Sequence, residues 1–92
     1  MKSVLIFGKD IKIIPGDLRV KGLDGYFDPQ SLTIHIEKTL KGDEKSHTLI
    51  HEMVHAVFHR ISINQTSLHP DVQEIICDSI ATALTENFKI SF

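Results

Sequence analysis

Cysteine is almost missing from this sequence. Cys77 is the single one, so no disulfide can form within the chain, and a reducing compartment is favoured. An excess of charge is also missing: 10 basic residues stand against 12 acidic ones, a formal net charge of -2. That leaves no basic excess to suggest a nucleic-acid partner. Long apolar runs are absent as well. Val4–Phe7 near the N-terminus is too short for a signal-peptide core, and nothing approaches the ~20 apolar residues of a membrane span. The expectation is a cytoplasmic protein with neither a membrane nor a direct nucleic-acid partner. Repeats, low-complexity tracts and linker-like stretches are lacking too, so residues 1–92 read as one domain. What is present, 41% hydrophobic and 24% charged residues, is the composition of a globular fold. A chain of this size buries a modest core, to which a bound metal would add stability.

The first 41 residues read as short strands broken by turns. Val4–Phe7 and Ile11–Ile14 are apolar and β-branched, the second closed by Pro15-Gly16. Leu18 and Val20 alternate with Arg19 and Lys21 before Gly22. Asp24-Gly25 and Asp28-Pro29-Gln30-Ser31 are turn signals. Leu32–Glu37 carries the clearest alternation: Leu32, Ile34 and Ile36 are expected to face the core, and Thr33, His35 and Glu37 to face away. From about Gly42 the period changes. Ile50, Met53, Val54, Val57, Phe58 and Ile61 fall on one face of a helix ending near Arg60. Asp43 and Glu44 place acid at its start, where the helix dipole favours it. Ser62–Ser67 reads as a loop. Pro70 suits the first turn of a second helix, with apolar positions Val72, Ile75, Ile76, Ile80, Ala83 and Leu84, running to about Asn87. The fold class is therefore α+β: a small N-terminal sheet, then two helices covering one of its faces.

The first helix contains His51-Glu52-Met53-Val54-His55. Residues four apart lie one turn apart on one face, so both imidazoles can reach one metal ion. Neutral imidazole is a good zinc ligand. Glu52 is turned about 100° from His51 around the helix axis, which leaves it beside the metal as a general base. Catalytic zinc generally takes a third protein ligand. Glu74, in the first turns of the second helix, is the better candidate, and His69, just before Pro70, is its rival. Asp78, one turn beyond Glu74, is placed to accept a hydrogen bond from the far ring nitrogen of a zinc-bound histidine. His47 and His59 continue the four-residue series but read as neighbours rather than ligands. His35 reads as an exposed strand residue, and Cys77 as a small core residue.

The stretch Thr48-Leu49-Ile50-His51-Glu52-Met53-Val54-His55-Ala56, preceded by strand Leu32–Glu37 and followed by Glu74-Ile75-Ile76-Cys77-Asp78, resembles the gluzincins. Within them it is most similar to the ImmA/IrrE-type metallopeptidases of bacteria and prophages. The resemblance covers roughly residues 25–88. It implies a minimal zincin-like domain in which His51, His55 and Glu74 hold Zn2+, Glu52 is the catalytic base and Asp78 steadies a ligand from outside. It also implies that the upstream strand pairs with an extended peptide, and that the substrate is a peptide or protein, typically a DNA-binding repressor encoded nearby. Val54 stands where many members have glycine, and the Glu-Ala-Asn run usual in the second helix is replaced. SprT-like proteins, whose third ligand is a histidine spaced like His69, are a second resemblance. The competing expectation is a zinc-containing module that binds a protein without cutting it.

Overall fold

The computed structural model describes residues 3–61 and 68–89. Its elements are β1 (Ser3–Ile6), β2 (Lys9–Gly16), a 3-10 turn at Arg19–Lys21, β3 (Gly25–Asp28), β4 (Thr33–Glu37), α1 (Gly42–Arg60) and α2 (Pro70–Asn87). The four strands form one sheet in the order β1-β2-β4-β3. β1 and β2 form an antiparallel hairpin closed by Phe7 and Gly8, both at positive φ. That is the turn whose twist matches flanking strands. β2 and β4 run parallel, and β3 and β4 antiparallel. The α+β class and the order of sheet before helices agree with the sequence reading, as do the ends of both helices near Arg60 and Asn87.

The core lies between one face of the sheet and α1. Val4, Ile6, Ile11, Ile13, Ile34 and Ile36 point the same way because strand side chains alternate, and they close over Leu40, Leu49 and Ala56. Ile11 and Ile34 are completely buried. Burying a side chain of that size stabilises the fold by roughly 1.5–3 kcal/mol.

Several expectations change. Leu18–Lys21 is not strand: Leu18 is buried, and the chain turns until Gly22, at φ 75, returns its N–H to the Arg19 carbonyl. Only glycine adopts that torsion without steric cost. The sequence offers turn signals only at the two ends of β3, Asp24-Gly25 and Asp28-Pro29-Gln30-Ser31. Its four residues, Gly-Tyr-Phe-Asp, show no alternation of burial, so the two-residue period had nothing to report. In β4, Ile34 and Ile36 are buried as expected, but Thr33 and Glu37 are buried too. The Glu37 carboxylate is drawn in because it accepts hydrogen bonds from the backbone N–H groups of Leu18, Arg19 and Thr39 and from the Thr39 hydroxyl.

The helices also differ from their periodic reading. The buried positions of α1 are Ser46, Leu49, Ile50, Glu52 and Ala56, whereas Ile61 is exposed. The helix faces two neighbours, the sheet on one side and α2 on the other, so its buried surface is wider than the apolar stripe and rotated from it. α2 packs on α1 rather than on the sheet. Only Cys77 and Ala81 of α2 are buried, and Val72, Ile75 and Ile80 are exposed. The loop read at Ser62–Ser67 lies outside the described residues. No described helix is long and apolar enough to cross a membrane.

Candidate metal centre

The centre forms where α1 and α2 face each other. α1 presents His47, His51 and His55 to α2 at one-turn intervals. α2 answers with Thr82, Asp78 and Glu74, running antiparallel. Each pairing follows from the same helical geometry, residues four apart on one face.

His51 Nε2 lies 2.9 Å from Glu74 Oε2 and His55 Nε2 lies 2.7 Å from Glu74 Oε1. Two ring nitrogens from one helix thus converge on a single carboxylate from the other. The His51 and His55 rings meet edge to face, 5.0 Å between centroids. The other nitrogen of His51, Nδ1, is 2.8 Å from Asp78 Oδ1. Both imidazoles are largely shielded, while Glu74 and Asp78 reach in from the solvent side.

Glu52 lies on the sheet side of α1, only 7% exposed. Its Oε2 is 4.0 Å from His51 Nε2, so it stands beside the two histidines and not in line with them. Burial pushes its carboxyl up to about 7. The charge of His51 opposes that shift, Glu74 adds to it, a backbone hydrogen bond from Phe27 opposes it, and Asp78 adds to it again. Water removal disfavours the ionised form, and the nearby carboxylates do the same.

Cys77 adds a donor that sequence reasoning assigned only to the core. It is fully buried, and one ligand atom each from His51, His55 and Cys77 lies within 4.8 Å of the others, a group that could hold a metal ion. Burial, followed by Glu74, Glu52 and Asp78, pushes its thiol up to about 12. The signal was available: Glu74, Cys77 and Asp78 sit at i, i+3 and i+4, one face of α2.

The rival residues are placed elsewhere. His69 is the N-cap of α2, its Nδ1 accepting from the Asp71 N–H. His35 stacks on Tyr26 with centroids 4.5 Å apart, and its Nε2 is 3.2 Å from Thr33 Oγ1. His59 sits against Phe27.

A cleft of about 770 Å³ opens over the two histidines, lined by Gly25, Tyr26 and Phe27 of β3, by His51, Glu52, His55 and His59 of α1, and by the start of α2. β4 cannot serve as the peptide-pairing strand, because β2 and β3 occupy its two sides. The strand with an open side at this cleft, among the described residues, is β3. Its lack of alternation hid it in the sequence.

Comparison with protein-family models, with curated proteins and with solved structures finds no match to this chain.

Proposed function

We propose that this chain is a zinc-dependent metallopeptidase of the gluzincin kind, with His51, His55 and Glu74 as ligands and Glu52 as general base. The observation that carries the reading is the convergence of His51 Nε2 and His55 Nε2 on the Glu74 carboxylate. Two imidazoles and one carboxylate are the donor set of an open catalytic zinc site, and here both Nε2 atoms lie within 2.9 Å of the Glu74 carboxylate. Zinc held there supplies a Lewis acid for the scissile carbonyl and lowers the pKa of the attacking water.

The remaining chemistry belongs to the chain. Asp78 accepts from His51 Nδ1–H, which fixes the tautomer and leaves Nε2 free as a donor to the metal. Glu52 takes the proton of the attacking water and passes it to the leaving amine. β3 offers backbone groups to an extended peptide across the cleft. A protein substrate such as a DNA-binding repressor is what the family resemblance adds to this reading.

The test compares zinc-loaded wild type with Glu52→Gln on a mixed peptide library. The variant keeps the size of the side chain but cannot accept a proton. It is expected to bind zinc normally and to lose cleavage by at least ~100-fold, the low end of a general-base contribution. Equal cleavage by both removes Glu52 from the mechanism. No cleavage by either points to the binding module.

A further inference from the structure

β3 meets α1 at a glycine. A Cβ placed on Gly25 would lie 2.9 Å from Thr48 Cγ2, 3.1 Å from the His35 carbonyl oxygen and 3.4 Å from Glu52 Cγ. The other glycines, Gly8, Gly16, Gly22 and Gly42, have nothing within 4 Å of such an atom. Nor is Gly25 among the residues at positive φ. Space, not torsion, is what requires glycine here, and a glycine inside a strand commonly marks such a close approach.

We propose that Gly25 is a positioning residue for Glu52: by carrying no side chain it lets β3 close on α1 and sets where the Glu52 carboxylate stands beside His51. The inference rests on the reading of Glu52 as general base. Gly25 is pinned in register opposite Ile36, and the His35 oxygen belongs to the backbone of the neighbouring strand. Neither can swing aside. Thr48 is one helical turn before Glu52 on the same face of α1, and its β-branched side chain has few alternatives within a helix. An added methyl group overlaps Thr48 Cγ2 and the His35 oxygen while only touching the Glu52 stem, so β3 must lift off α1 or Thr48 must shift. Either movement displaces the wall against which the Glu52 stem rests beside His51. A glycine that served packing alone would lower stability without touching turnover selectively.

The experiment uses the full chain as wild type, Gly25→Ala, Thr48→Ser and Gly25→Ala/Thr48→Ser. On a peptide that wild type cleaves, Gly25→Ala is expected to lose kcat by about 10–100-fold, the scale of a misplacement near 1 Å, with KM and zinc affinity unchanged. Thr48→Ser removes the closest atom, so the double variant should recover part of that kcat. In the metal-free proteins, NMR should show the Glu52 γ-methylene close to the Gly25 α-protons in wild type and displaced in Gly25→Ala. Full kcat in Gly25→Ala overturns the inference, as does a kcat loss that tracks zinc loss and ignores Thr48→Ser. If wild type cleaves nothing, the peptidase reading fails separately, and the NMR comparison decides the placement: an unmoved Glu52 in Gly25→Ala overturns it. Should Gly25→Ala fail to fold, the double variant is compared with Thr48→Ser, and equal kcat and an unmoved Glu52 there overturn it.

Discussion

His51 Nδ1 stands 2.8 Å from Asp78 Oδ1, a contact between α1 and α2 across 27 residues of sequence. It occupies the nitrogen that faces away from the proposed metal position, so it orients the ring without competing for the ion. A ligand histidine held this way keeps one tautomer and becomes more basic. Asp78→Ala should therefore weaken zinc binding by ~10–100-fold, the usual effect of losing such a partner. Competition with a chromogenic chelator measures it. Unchanged affinity would reduce the contact to a bond between helices.

Glu74 and His69 give opposite expectations. Glu74 reaches the Nε2 of both histidines, so Glu74→Ala should strip the metal or leave it weakly held. His69 caps α2 and is exposed, so His69→Ala should leave metal affinity alone. Its cost should be that of a lost helix cap, typically ~1 kcal/mol. Metal analysis after dialysis, with melting curves for both variants, separates the two. Metal lost in His69→Ala and kept in Glu74→Ala would exchange the proposed ligand set for the SprT-like one.

What could be read from the chain alone follows from period. HExxH fixes two histidines on one face of a helix, and ExxxD fixes two carboxylates on one face of another, so both halves of the centre were legible. The contact between those faces is what the proposed ligand set requires. β3 was hidden for a different reason. Gly25, Tyr26, Phe27 and Asp28 are an edge strand in which Tyr26 is exposed and none of the four is fully buried, so no apolar–polar alternation marks it. Glu37 misled the strand reading because a carboxylate that is supplied with backbone donors can be buried at little cost. No local pattern announces that. The true buried face of α1 depended on where α2 would dock, a tertiary fact.

Glu37 makes stability depend on pH in a defined window. The backbone N–H of Arg19, followed by the N–H and hydroxyl of Thr39, holds its carboxyl down at about 2 against an ordinary value of 4.5; burial opposes this, and the Leu18 N–H adds to it. The folded form binds this proton less readily than the unfolded chain. The contribution is therefore complete above 4.5 and fades as the pH falls from 4.5 toward 2. Wild type should melt above Glu37→Gln near neutrality, and the gap should narrow through that window. A gap that stays constant with pH would mean the carboxylate charge contributes nothing to the fold.

Cys77 is the remaining competitor for the third ligand position. Its sulfur belongs to a group with His51 and His55 within 4.8 Å, a three-donor set that would replace Glu74 as ligand. One feature weighs against it. Glu74 approaches from the solvent side and already touches both imidazoles. Cobalt in place of zinc makes the choice visible, since thiolate ligation adds an intense charge-transfer band in the near ultraviolet that carboxylate and imidazole do not. The cobalt-loaded protein should lack that band, and Cys77→Ala should hold metal as tightly as wild type, with only a small loss of packing. An intense band that vanishes in Cys77→Ala would place sulfur on the metal and exchange Glu74 for Cys77 in the proposed ligand set.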